Sequence, residues 1–199
     1  MKNICGVQSQ IIYPPVVTPS RPVSHKPEDY YITVSRLDDT KGLELIVRAC
    51  NRIGAHVKIV GSGSDARYIQ RLRGLAGPTI EFMGRLSDKD IYRLYENAIA
   101  FLFTPETEDF GIAPLEAVSR GVPVIAYYGG GAKETLRDGK TGLFFYSYNE
   151  EALVHAMRAL KPEQFAPASL YNYAKRFARP RFEREMKHYI ERAMRDRDT

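Results

Sequence analysis

An open α/β sheet, with parallel strands and helices on both faces, is the fold class the sequence predicts. Short apolar runs alternate with longer amphipathic stretches along most of the chain, the pattern of strands joined by crossover helices. The segments that follow these apolar runs carry glycines and charges, as loops at one rim of such a sheet do. A proline-rich lead over 13–27 reads as an extended linker into this alternation.

The first strand is expected at 30–35. In the helix that follows, at 42–53, Leu45, Ile46, Ala49, Cys50 and Ile53 fall at helical spacing, which makes Cys50 a small core residue and not a reactive thiol. Strands at 56–60 and 80–83 lead into helices at 65–75 and 88–97. The run AIAFLF over 98–103 has the composition of a buried strand, assigned to 99–103. PLEAVSR over 114–120 follows as a helix, with Pro114 tolerated in a first turn. A strand at 122–127 precedes the triple glycine 129–131, which opens a turn into a short helix at 132–136 and is either simple turn chemistry or a phosphate-facing nest. The last strand and helix are expected at 143–145 and 150–160.

Beyond Pro162 the chain reads as helical and ends in a helix at 181–195. Phe182, Met186, Tyr189, Ile190 and Ala193 form its apolar stripe, opposite Arg179, Arg181, Arg184, Lys187, Arg192 and Arg195. That basic face suits peripheral contact with anionic lipid. Glu183, Glu185 and Glu191 dilute the charge and favour docking on protein instead.

With 199 residues, 44% of them hydrophobic and 27% charged, the chain has the composition of a soluble globular protein with one well-buried core. The net charge of +5 permits anionic partners, but no aromatic-basic motif points to nucleic acid. Cys5 and Cys50 form neither a CxxC pair nor a disulfide framework, which fits a reduced cytoplasmic setting. Neither a membrane-spanning run nor a signal peptide is present in the sequence, so membrane association would be peripheral, at the inner face. His56, His155 and His188 read as structural or solvated residues. The adjacent Asp38 and Asp39 read as solvated, and no metal is expected.

Glu108 and Glu116 stand eight residues apart in EDFGIAPLE, across a glycine and a proline. An ionised carboxylate accepts several hydrogen bonds and donates none, which suits it to vicinal hydroxyl pairs on a ribose or hexose. Gly111 lets backbone approach a ligand, and the N–H groups at the start of the following helix favour a phosphate. Taken singly, Glu116 is also explained by the helix dipole and Glu108 by solvation. The placement of the other candidates shifts that balance. Arg36 and Lys41 follow the first strand, Gly61 and Gly63 the second, Arg85 and Leu86 the third, and Glu108 to Gly111 the fourth, so one rim collects them all. Arg36 and Lys41 supply a planar fork and a mobile ammonium suited to a diphosphate. The Gly61-Ser62-Gly63 loop lacks the third glycine of a dinucleotide fingerprint, and close backbone approach to a ligand is the better use for it.

The stretch 108–126, EDFGIAPLEAVSRGVPVIA, resembles the signature of retaining glycosyltransferases of the family 4 type, which have the two-domain GT-B fold. Three further segments match in the same order: VSRLDDTKG at 34–42, FMGRL at 82–86 with the helix ending LYENA, and GGGAKE with DGKTGL over 129–143. The resemblance covers roughly 11–195 and implies that the chain is the C-terminal, Rossmann-like donor half, lacking the N-terminal acceptor domain. IIYPPVV at 11–17 resembles the segment that leads into this half. The implied organisation is a remnant and linker at 1–27, a nucleotide-sugar domain at 28–162, and C-terminal helices at 163–199 that pack on that domain or cross from it.

Carried over from the family, Arg36, Lys41 and Glu108 are the catalytic residues, the cationic pair holding the donor's diphosphate and the charge that grows on it. Arg85 and Leu86 would flank the nucleobase and Glu116 would hold the ribose. Glu108, with the backbone of Phe110, Gly111 and Ile112, would hold the sugar, and Gly61 and Gly63 would line the donor. The donor implied is a UDP- or GDP-hexose, with the EDFGI form of the signature leaning towards GDP-mannose. No cofactor or metal is implied, and any catalytic histidine belongs to the acceptor domain, supplied in cis or in trans. The alternative is a binding module that supplies or senses nucleotide without catalysing transfer.

Overall fold

A computed structural model describes residues 10–195; Cys5 and all but the last residue of the segment 1–10 lie outside the described residues. Six strands form one sheet: β1 (Tyr31–Val34), β2 (Val57–Val60), β3 (Ile80–Gly84), β4 (Phe101–Phe103), β5 (Val124–Tyr127) and β6 (Gly142–Phe145). Their order is β3-β2-β1-β4-β5-β6 and every pairing is parallel. The chain therefore reverses its direction of travel between β1 and β4, and a crevice opens there beyond the carboxyl ends of the strands.

The helices are α1 (Leu43–Ile53), α2 (Ala66–Leu75), α3 (Asp88–Asn97), α4 (Ile112–Ser119), α5 (Ala132–Thr135), α6 (Glu150–Ala159), α7 (Pro167–Ala174) and α8 (Arg179–Arg195). Helix α1 packs against α2 and α6, and α4 packs against α7 and α3, giving the two outer layers. Ile32, Ile59, Phe101, Leu102 and Ile125 are fully buried between those layers, as expected for strands covered on both faces. Cys50 is buried in α1, where burial pushes its thiol up to about 12.

The expected elements appear in the expected order. One difference bears on the site: α4 begins at Ile112, two residues earlier than the sequence suggests, because Gly111 enters it in the left-handed conformation at φ 84°. Pro114 is then the third helical residue, still within the turn where no N–H is needed. Glu116 becomes the fifth, beyond the first turn, where the dipole argument for an acidic residue no longer applies.

The linker is packed down. The Val16 N–H donates to the Phe177 carbonyl at 2.9 Å, and Val16 itself is buried. Helix α8 has no buried residue, and Tyr189, Ile190 and Met194 are exposed. No helix among the described residues is long and apolar enough to cross a membrane.

Candidate functional site

A cavity of about 500 Å³ occupies the crevice between β1 and β4. Ser35, Arg36 and Lys41 line it from the β1 side, and Phe103 with the segment from Glu108 to Pro114 from the β4 side. The start of α4 therefore forms one wall, and its first-turn N–H groups lack helical partners.

Lys41 ends a short 3-10 turn, Asp39–Lys41, capped by Asp38, whose carboxylate accepts the Thr40 N–H at 3.1 Å. The buried Thr104, just past β4, fixes that turn to the other side of the crevice by donating to the carbonyls of Lys41 and Gly42, at 3.0 and 3.1 Å. Gly42 is required there, since a Cβ on it would meet the Tyr148 hydroxyl and the Thr104 carbonyl at 2.4 and 2.8 Å. So braced, the Lys41 ammonium donates to Glu108 Oε2 at 2.6 Å, with the two side chains only 15% and 28% exposed. A pair this short and sheltered is held far more firmly than a surface ion pair. Arg36 stands at the mouth, 76% exposed and paired with Asp38 at 3.5 Å, free to swing onto an anion.

The loop carrying Glu108 is shaped by the triple glycine. The Gly131 N–H donates to the Glu108 carbonyl at 2.6 Å, and a Cβ on Gly130 or Gly131 would lie 2.4 or 2.3 Å from a carbonyl oxygen of Glu108 or Asp109. The glycines of this run make room for the Glu108 loop. Thr135 adds a hydrogen bond to the Phe110 carbonyl at 3.2 Å. The Phe110 ring stacks on Tyr13 of the linker, with centroids 5.5 Å apart, and the residue lines the cavity.

Arg36, Lys41, Glu108, Phe110, Gly111 and Ile112 are therefore brought together, whereas Gly61, Gly63, Arg85, Leu86 and Glu116 do not line this cavity. The two glycines make their close approach to the chain's own backbone: a Cβ on Gly61 would sit 1.8 Å from the Ser35 carbonyl, and one on Gly63 2.1 Å from that of Leu37. They seat the loop that bears Arg36. Arg85 is exposed and Leu86 half-buried where β3 passes into α3. Glu116 lies on α4, with Asp88 and Tyr92 of α3 within electrostatic reach. Burial raises its carboxyl to about 7, Arg120 pulling it down and Asp88 pushing it up. Tyr13, Thr104, Thr135 and Arg120 brace the site without a sequence signal to mark them. Among the described residues no group of His, Cys, Asp and Glu is arranged to hold a metal ion.

Six parallel strands in this order, with a charged crevice at the reversal between β1 and β4, define a doubly wound α/β domain of the ligand-binding kind. The family model of glycosyl transferases group 1 matches residues 18–177, and the chain belongs to that family. It is 30% identical over 132 residues to an uncharacterized glycosyltransferase of Methanocaldococcus jannaschii, a match covering 63% of this chain and 34% of that one. It is 32% identical over 110 residues to a GDP-mannose-dependent alpha-mannosyltransferase of Corynebacterium glutamicum, covering 55% and 26%. An Anabaena protein, HepE, solved in complex with UDP and glucose, superposes with a TM-score of 0.74 at 20% identity, covering 82% of this chain and 48% of that one. The fold is the Rossmann-like half of the GT-B type. The chain spans about a third or less of these two curated relatives and about half of the solved structure.

Proposed function

We propose that this chain is the donor-binding half of a retaining glycosyltransferase that takes a nucleotide-diphosphate hexose. The observation that carries the reading is the braced Lys41–Glu108 pair, 2.6 Å apart in a cavity walled by the start of α4. A diphosphate seated against those N–H groups would meet the Lys41 ammonium, and Arg36 would close on it from the mouth. As the bond from sugar to phosphate breaks, charge grows on the leaving diphosphate, and these preorganised cations stabilise it. Glu108 accepts from hydroxyls of the hexose and keeps Lys41 aimed. The nucleoside extends towards α3, with the base beside Arg85 and Leu86 and the ribose hydroxyls on Glu116.

The mannosyltransferase named among the relatives supports GDP-mannose as donor, and the UDP complex of the similar structure supports a uridine nucleotide. The EDFGI form of the motif inclines the reading to GDP-mannose. Transfer requires an acceptor domain, in cis or in trans, to close over the crevice; by itself the chain binds donor weakly and transfers nothing.

Titration calorimetry of the chain with UDP, GDP, UDP-glucose and GDP-mannose tests this. Heat with one base and not the other establishes donor binding and assigns the nucleotide. No heat with any of the four, from protein shown to be folded, defeats the reading.

A further inference from the structure

Arg120 is the only charged residue among the described ones to be buried, at 4% exposure. Its guanidinium lies 3.4 Å from the centroid of the Tyr92 ring, on α3. Nη1 donates to the carbonyls of Val17 and Glu116, each at 3.3 Å, and to the Ser119 hydroxyl at 3.1 Å. All these acceptors are neutral, and no carboxylate among the described residues lies within ion-pair distance. A buried cation held only by neutral groups is costly unless its field is used nearby.

The acid within its field is Glu116, four residues earlier on the same helix. Asp88, Tyr92 and Tyr95 reach the same carboxyl from α3, and only Arg120 among these favours its charged form. No group among the described residues donates a hydrogen bond to the Glu116 carboxylate, so its acceptor capacity is open to a ligand. A protonated carboxyl would present a donor and lose part of that capacity.

We propose that Arg120 is a positioning residue: anchored by the Val17 carbonyl and the Tyr92 ring, it keeps the Glu116 carboxylate charged and accepting for the vicinal hydroxyls of the ligand. The inference rests on the nucleotide-sugar reading above and adds to it a dependence of affinity on pH. Burial already brings Glu116 to about 7, so removal of the one cation that favours its charged form leaves it protonated at neutral pH.

The test is the affinity of the chain for UDP-glucose and GDP-mannose, whose diphosphates are esterified at both ends and hold their charge between about pH 5.5 and 9. Affinity of the wild type should fall as pH drops through about 7. Arg120→Gln should move that midpoint upward by about one pH unit, giving about fivefold weaker binding at neutral pH that recovers at about pH 9. Arg120→Lys should keep the wild-type profile, and Glu116→Gln should abolish the pH dependence. A neutral variant that weakens binding equally at every pH, or leaves the midpoint unmoved, overturns the inference. Should Arg120→Gln fail to fold, carbon-13 titration of the Glu116 carboxyl in wild type and in Tyr92→Leu, which takes away the ring that anchors the guanidinium, decides: an upward move of the midpoint in the variant supports the inference, and an unmoved or lowered one overturns it. Failure of wild-type protein to bind either probe defeats the underlying reading; wild-type binding with pH-independent affinity defeats only this inference.

Discussion

At Glu108 the carboxylate meets an ammonium at 2.6 Å; at Glu116, on the helix that follows, the cation within reach is a guanidinium that does not touch it. The two residues belong to one short motif, yet they stand in opposite electrical settings. Glu108 is fixed by contact, one carboxylate oxygen aiming Lys41. Glu116 is half-buried with no donor, and its charge is sustained only at a distance. The difference fits the two ends of the proposed ligand. A diphosphate end needs permanent, placed charge, whereas a ribose end needs open acceptor sites, which a tight ion pair would occupy.

The largest effect should come from breaking the contact pair. Lys41→Met removes a charge-assisted donor from a braced position and leaves Glu108 facing the diphosphate without a counter-charge. Affinity for the proposed donor should fall about 100-fold, and, if the proposed transfer is reconstituted with an acceptor domain, its rate by at least as much. Calorimetry and initial rates check it. A loss of only a few-fold would make this pair equivalent to an exposed one and remove the contrast with Glu116.

Glu116 should show its setting in stability. Its carboxyl is raised from 4.5 to about 7 by burial, so between those values the folded chain holds a proton that the unfolded chain has released. Stability therefore falls as pH rises from about 4.5 to about 7, and the cost is complete above that range. Allowing for solvent screening, the cost is on the order of 2 kcal/mol. Glu116→Gln, which carries no charge, should be more stable than wild type by about that amount at pH 8 and equal to it near pH 4.5 in urea unfolding. Equal stability at both would mean that Arg120 fully offsets the burial cost.

The layered sheet was legible because the signals are local: apolar runs such as AIAFLF, helical spacing in α1, and polar loops at one rim. The gathering of Arg36, Lys41 and Glu108 followed from topology, since β1 and β4 are neighbours in any sheet of this order. What lay beyond the sequence was the bracing. Thr104 reaches Lys41 across 63 positions and Tyr13 reaches Glu134 across 121, and neither residue type is unusual where it stands. Gly61, Gly63 and the triple glycine were recognisable as sites of close approach. What each of them approaches is not legible, because a glycine that seats a neighbouring loop and one that admits a ligand look alike in sequence. The early start of α4 was hidden for a similar reason: Pro114 marks a first turn without fixing which residue of it.

The smallest of these effects should come from that packing, through Gly131→Ala. Gly131 has helical dihedrals, φ −67° and ψ −16°, which alanine adopts freely, so any effect must come from space alone. A Cβ there would lie 2.3 Å from the Asp109 carbonyl oxygen and 2.7 Å from the Phe110 Cα, both backbone atoms, and the Glu108 loop must move to admit it. A shift of that kind displaces the Glu108 carboxylate from Lys41 but leaves α3 and the far end of α4 in place. Donor affinity should weaken about tenfold, while the pH midpoint that belongs to Glu116 stays where it is. Movement of both would show that the two ends of the site are one mechanical unit; an unchanged affinity would show that the glycine run does not set the position of Glu108 at all.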